Sequence, residues 1–287
     1  MKFIVGLLVV IGSVIGGYML AGGYVSVLWQ PLEFLIILGA GLGTFVVSSP
    51  TNIIKALMGS MGKLVKGPKY NSDNYLELLS VQYTLFKLAK SKGDLALESH
   101  IDNPDDSALF SQFPSFAGDH HALEFMCDYL RMLTLGTSNS HEVENIMDIE
   151  LERHHENDHA IHGALSGLAD ALPALGIVAA VLGIIKTMGS ITEPPEILGE
   201  LIGAALVGTF SGIFFSYGFF APMASSMAAT MEEEANYFSC IKAGIIAHMQ
   251  GYAPQVSVEF SRKTIPGHLR PSFKDLEEAL NDVGSVA

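Results

Sequence analysis

The sequence predicts an all-α integral membrane protein with four transmembrane helices and a helical cytoplasmic domain. Three observations lead to this prediction. The 287 residues have a mean hydropathy of +0.36 and only 16% of them are charged, which is more apolar than soluble domains usually are. Four long uncharged runs occur, and a bilayer core requires about 20 such residues in helical form. The polar segments between the runs repeat apolar residues at helical spacing.

The first two apolar runs predict a transmembrane hairpin over residues 1–54, with spans at about 3–20 and 34–54. Tyr24 and Trp29 lie between the runs, and both residue types are enriched at the membrane–water interface. We expect the first run to be retained rather than cleaved as a signal peptide. No small-residue cleavage site follows it, and the second apolar run comes at once.

A helical domain of more than a hundred residues, 55–168, is predicted to follow the hairpin. Apolar residues recur at helical spacing in 74–92 and again in 121–135. Ser140 opens a long polar helix, which we expect to run on towards the third span.

The second half of the chain predicts two more spans and a polar tail, at about 169–189, 200–222 and 223–287. We expect Pro173 in the first turn of the third span, where its missing N–H is tolerated, with Asp170 capping that helix. Pro222 is expected to kink or end the fourth span, and another helix then runs to about residue 250.

The distribution of Lys and Arg predicts the orientation. Fourteen of the 16 basic residues lie in 51–168 and 223–287, and the loops 21–33 and 190–200 contain none. Because cytoplasmic segments carry the excess of basic residues, both large polar segments and both termini are predicted to face the cytoplasm. The two cysteines, Cys127 and Cys240, are then expected to be reduced thiols.

Small residues recur at every fourth position in the last two spans. Gly208 and Gly212 belong to such a stripe in the fourth span, and Gly176 and Ala180 to one in the third. These stripes let helix backbones approach closely, either within one subunit or against the helix of another chain.

The last two spans contain no carboxylate at mid-membrane, and Glu33 is expected at the periplasmic edge. Proton transport at depth usually needs a titratable side chain. If the protein conducts ions, the titrating group is therefore expected to come from a partner chain.

Composition and motifs argue against several function classes. A net charge of -14 disfavours nucleic-acid binding, and the sequence has neither a phosphate-binding glycine loop nor a nucleophile signature. One enzyme-like alternative remains, because His155, His159 and His162 share a helix face with Glu152 and could hold a metal ion. An exposed polar helix explains this pattern more simply. We therefore expect no enzymatic activity and no metal site.

Three separated motifs lie on this predicted topology: QPLEFLIILGAGLGTF at 30–45, DALPALGIVAAVLG at 170–183 and LVGTFSGIFFSYGFFAP at 206–222. The tail adds GYAPQVSVEFSRK at 251–263. Together they resemble the flagellar motor stator subunits of the MotA/TolQ/ExbB family, and the resemblance covers essentially the whole chain.

The resemblance implies a multi-pass protein of the bacterial inner membrane that works in a homo-oligomeric ring. Five such subunits would surround two MotB-like partner chains, and the intramembrane aspartate of the partner would carry the ion. The cytoplasmic domain would then push the FliG ring of the rotor. No cofactor is implied apart from the transported ion.

The resemblance also implies roles for residues in the last two spans. Roles in coupling or gating fall on Pro173, Pro222, Tyr217 and Asp170. The small-residue stripes themselves predict close packing of the helices at Gly176, Gly208 and Gly212.

The ion path is implied at Thr209 and Ala180, and contact with the rotor at Lys90 and Glu98. Sodium-driven relatives have a threonine where this chain has Ala180, which favours protons as the transported ion. Lys90 stands where the family commonly has arginine, so the charge is kept but the bidentate geometry is lost.

A TolQ- or ExbB-like energiser of outer-membrane processes is the nearest alternative, because it uses the same kind of ring with a different partner. Those relatives have three spans, placed differently along the chain. The four apolar runs and the tail motif at 257–273 favour the motor.

Overall fold

The computed structural model describes residues 2–137 and 139–283, apart from the side chain of Val65. The described residues form helices and connecting turns, without strands. They divide into two compact units. The membrane unit comprises the residues up to Gly67 together with Glu156–Thr230, and the polar unit comprises Pro68–His155 together with the residues from Met231 onwards.

The helices follow one another along the chain with short connections. In order they are α1 (Lys2–Leu20), α2 (Val25–Leu28), α3 (Pro31–Ser48), α4 (Thr51–Lys66), α5 (Ser72–Lys92), α6 (Glu98–Ile101), α7 (Pro114–Ala117), α8 (His120–Thr134), α9 (Ser140–Met188), α10 (Pro195–Phe215), α11 (Ala221–Met249), α12 (Pro254–Thr264) and α13 (Phe273–Val283). Four helical segments are long and apolar enough to cross a membrane, and they correspond to the four apolar runs.

The second span differs from its predicted extent of 34–54. Helix α3 begins at Pro31 and ends at Ser48, because Ser49 precedes Pro50 and adopts an extended conformation. A residue before proline is sterically disfavoured in the helical region, so the chain breaks there. Helix α4 then starts separately at Thr51 and is amphipathic rather than a continuation of the span.

Pro173 does not start a helix, and Asp170 does not cap one, because both lie inside the 49-residue helix α9. The long helix that was expected to run from Ser140 towards the third span does so without interruption. The proline removes one backbone donor within this helix, and Ala169 is the residue whose carbonyl would have accepted from it.

Pro222 likewise does not end the helix that carries the fourth span. Helix α10 passes through a π-helical turn at Ser216–Phe220 into α11, and the Ala221 N–H donates to the Ser216 carbonyl. A proline ring clashes with the carbonyl four residues earlier in a regular α-helix. The wider π turn just before Pro222 accommodates the ring and lets the helix continue.

The polar unit has its own hydrophobic core, built mainly from α5, α8 and the later part of α11. Tyr70 stacks on Tyr237 with ring centroids 3.7 Å apart. Helix α5 starts at a capping box in which Asn71 and Asn74 each accept from the backbone N–H of the other. Both cysteines are free and buried, and burial raises the pKa of the Cys127 thiol to about 12.

Candidate functional site

The third and fourth spans meet backbone to backbone at their glycines. A Cβ on Gly212 would lie 2.6 Å from the Leu172 carbonyl oxygen and 2.8 Å from the Gly176 Cα. A Cβ on Gly176 would lie 2.9 Å from the Gly208 carbonyl oxygen. The structure therefore brings together all three glycines that were assigned to helix packing, and neither Gly176 nor Gly212 tolerates a side chain without movement of backbone.

The same contact continues one turn further along both helices. A Cβ on Gly208 would lie 3.2 Å from the Ala179 Cβ and from the Ala180 backbone nitrogen. A Cβ on Gly183 would lie 2.7 Å from the Ala205 Cβ. The two spans thus pack together as one wall in this region, with their small residues inside the contact between them.

The two residues implied in the ion path lie at one level of this wall. Ala180 packs beside Gly208, and Thr209 is the next residue of α10. Ala180 is buried, whereas Thr209 is half-buried. The threonine hydroxyl is the only side-chain oxygen that these two positions offer.

The residues implied in coupling are spread along the spans. Pro173 is half-buried and follows Leu172, whose carbonyl oxygen packs against Gly212. Asp170 is exposed, three residues before that proline. Tyr217 lies in the π turn and is 67% exposed within this single chain, so it is available to a neighbouring molecule.

The carboxylate of Glu33, which the sequence predicts at the periplasmic edge, packs against α10. Its Oε2 atom lies 3.0 Å from the position of a Cβ on Gly208, and its Oε1 atom lies 3.7 Å from that of a Cβ on Gly183. The Oε2 atom is buried and has no hydrogen-bond partner among the residues that the structure describes. Gly208 is about 20 Å along α10 from Pro195 at the helical rise, so the carboxylate packs against the middle of that helix.

The residues implied in rotor contact lie in the polar unit. Lys90 is in the last turn of α5, and Glu98 begins α6 after a turn at Gly93 with a φ of 87°. The Gly93-Asp94 break predicts that the two residues lie on separate elements, and in the structure Lys90 is in α5 and Glu98 is in α6. Both side chains are exposed. A cavity of about 500 Å³ next to Lys90 is lined by Asp94 and His248 among others.

The histidine-rich face of α9 does not gather ligands. Within residues 2–137 and 139–283, no group of three His, Cys, Asp or Glu side chains is placed to hold a metal ion. His155 instead lies 4.0 Å from Glu232, and His162 lies 3.3 Å from the Ser166 hydroxyl.

Comparison with known proteins places these features in a family. A family model described as the N-terminal part of motility protein A matches residues 4–93, and one described as the MotA/TolQ/ExbB proton channel family matches residues 119–239. Motility protein A of Salmonella typhimurium is 40% identical over 283 residues, which is 99% of this chain and 96% of the relative. The chain belongs to the MotA/TolQ/ExbB proton channel family.

Solved structures agree with this family assignment at the level of the fold. The MotAB stator complex of Bacillus subtilis contains a chain that is 26% identical, with a TM-score of 0.74 and coverage of 96% of this chain and 98% of that chain. A chain of the C. jejuni MotAB structure has a TM-score of 0.79 at 22% identity, covering 95% of this chain and 98% of that one.

Within the MotA/TolQ/ExbB proton channel family, the chain is a flagellar stator subunit and not an enzyme. Its relatives over nearly the full length are motility proteins, which supports the motor over an energiser of outer-membrane processes. The four candidate spans make it a multi-pass protein of the inner membrane.

Proposed function

We propose that five copies of this chain surround two MotB-like partner chains, with the third and fourth spans facing the partner. The observation that supports this most directly is the exposed apolar surface of these two spans, which are held together at Gly176, Gly208 and Gly212. Ile177 is 57% exposed and Ile213 is 46% exposed in the single chain, and a partner helix would cover such side chains. Both termini and the polar unit would face the cytoplasm, in line with the distribution of Lys and Arg.

The ion that drives this stator is proposed to be the proton, carried by an intramembrane aspartate of the partner. Sodium must exchange its hydration shell for several oxygen ligands, whereas a proton needs a titratable carboxylate and a wet path. Thr209 contributes one hydroxyl, and the methyl group of Ala180 contributes none. These two positions therefore make a poor sodium cage.

Ion flow is proposed to turn the ring around the partner, with Pro173, Pro222, Asp170 and Tyr217 coupling that flow to movement. Both prolines interrupt the backbone hydrogen bonds of otherwise continuous helices, which makes these places easier to bend. In the polar unit, Lys90 and Glu98 would contact the rotor protein FliG through their exposed charges.

Expression of this chain with a MotB-like partner in cells that lack their own stators tests the proposal. We expect flagellar rotation that persists without external sodium and stops when a protonophore collapses the proton gradient. Replacing the partner's intramembrane Asp by Asn is the matched control and is expected to abolish rotation while leaving assembly intact. Rotation that requires sodium and survives the protonophore would refute the choice of ion.

A further inference from the structure

The proposed mechanism assigns no role to the carboxylate of Glu33, although this group lies close to the residues of the proposed ion path. It belongs to the first turn of α3, which starts at Pro31. Its side chain reaches across to α10, where Gly208 leaves open the space that any larger residue would fill. The glycine at that position therefore does two things, because it allows the helix contact and it admits a carboxylate.

The carboxylate lies at the level of the proposed ion-path residues. The Glu33 Oε2 atom and the Ala180 backbone nitrogen lie 3.0 and 3.2 Å from one point, the position of a Cβ on Gly208. Thr209 follows that glycine in the chain. Glu33 thus shares a cross-section of the membrane unit with the two residues that the ion is proposed to pass.

The charged groups around Glu33 are few. Lys186 on α9 is the basic residue whose charge acts on it, and the side chain of Lys186 is exposed. Helix α10 has no ionisable residue from Leu201 to its end at Phe215, and α2 has none at all. The Glu33 Oε2 atom is buried without a hydrogen-bond partner among the described residues, while the residue as a whole is half-buried. A permanently ionised carboxylate is costly in such a place, and the cost is relieved when the group takes up a proton.

We propose that Glu33 is a proton-relay residue of the ion path, situated between the periplasmic entrance and the aspartate of the partner. This inference rests on the proposed function. An oxygen of the Glu33 carboxylate forms an O–H bond with a proton delivered by water from the periplasm. That bond then breaks as the proton passes through water towards the partner's carboxylate, and Glu33 returns to its ionised form. No other reactant is needed.

The test replaces Glu33 in the complex of full-length chain and partner, in cells without other stators. Glu33→Gln keeps the shape of the side chain but cannot exchange a proton in this way, and Glu33→Asp keeps the charge but withdraws it from Gly208. Glu196→Gln is the matched control, because Glu196 is an exposed carboxylate in the first turn of α10. The readouts are the amount of complex in the membrane and the rotation speed per stator at low load, measured across external pH.

We expect Glu33→Gln to leave the amount of complex unchanged and to reduce the speed per stator several-fold, with the greatest loss at high external pH, where protons are scarce. Glu33→Asp should fall between Gln and the natural residue, and Glu196→Gln should behave as the natural chain. A Gln variant with full speed at every pH would overturn the relay. A variant that lowers only the amount of complex, with unchanged speed per stator, would assign Glu33 a structural role instead.

A second variant keeps the inference testable if Glu33→Gln fails to assemble. Removing the positive charge of Lys186 by Lys186→Met favours the protonated form of Glu33, so the midpoint of the speed–pH curve should move to higher pH. An unmoved midpoint would contradict the relay. If instead the unmutated complex does not rotate, or rotates only with sodium, the proposed function itself fails, and this outcome does not depend on any Glu33 variant.

Discussion

Gly212→Ala is the sharpest test of the contact between the third and fourth spans. The added Cβ would lie 2.6 Å from the Leu172 carbonyl oxygen, about 0.8 Å short of the 3.4 Å at which ordinary contact begins. The three nearest neighbours of that Cβ, this oxygen and the Cα and nitrogen of Gly176, are all backbone atoms, so no side chain can swing away. The helices themselves must move apart, and overpacking of this kind costs about 1–3 kcal/mol.

Gly199→Ala is the matched control, because Gly199 lies in the same helix α10 and nothing lies within 4 Å of its Cβ position. There the change should stabilise the helix by up to about 1 kcal/mol through helix propensity alone. Because both substitutions gain the same helix propensity, the two variants are predicted to differ by the overpacking cost alone, about 1–3 kcal/mol in the free energy of unfolding.

Thermal unfolding of the detergent-purified complex measures this difference. A protein of this size is expected to shift its Tm by about 2–4 °C for each kcal/mol, so Gly212→Ala should unfold several degrees below Gly199→Ala. Motor torque should fall with it. Equal Tm values for the two variants would show that the spans are not packed backbone to backbone.

Three further predictions concern coupling, rotor contact and the tail. Replacing Pro173 or Pro222 by Ala restores a backbone donor within a continuous helix, so stator assembly should persist while torque falls, and assembled variants with full swimming speed would refute this. Reversing the charges of Lys90 and Glu98 together should reduce torque in a way that a matching reversal on the rotor partly restores, since exposed pairs are worth about 1 kcal/mol or less each; unchanged torque and localisation would exclude the contact. Arg262 donates to both carboxylate oxygens of Glu259 at 2.7 Å and to the Pro271 carbonyl. A lysine cannot make this two-pronged contact, so Arg262→Lys should lower the unfolding temperature, and a variant as stable as the natural chain would refute the importance of the bidentate contact.

The ion pair between Arg262 and Glu259 makes the stability of the fold depend on pH in a definite direction. The hydrogen bonds and charge of Arg262 lower the pKa of Glu259 below its ordinary value, against the opposing effect of partial burial. A carboxyl group with a lowered folded-state pKa stabilises the fold at pH values above its unfolded pKa, and this contribution is lost as the pH falls through the folded value. The Arg262→Lys defect should therefore be clear at neutral pH and shrink in acid.

Hydropathy and periodicity predicted the all-α class and the four spans because both signals are properties of each segment alone. The glycine stripe was predictable for the same reason, since small residues four apart always share a helix face. The prolines show where local reasoning stops. Pro173 reads as a helix start and Pro222 as a helix end by rules that hold for isolated segments. A long helix that keeps its other backbone hydrogen bonds can continue through one missing bond, as the structure shows at both prolines.

Glu33 shows a second limit, which concerns depth. Apolar runs predict that each segment crosses the membrane, but they do not predict at which level neighbouring helices start relative to one another. Helix α3 starts at Pro31, and yet the third residue of that helix touches Gly208, well inside α10. A carboxylate that is terminal in its own helix is therefore internal to the bundle. The cost of a buried charge depends on the position of Glu33 among the packed helices and not on its position in α3. The sequence of α3 alone therefore could not reveal that Glu33 was a candidate for proton transfer.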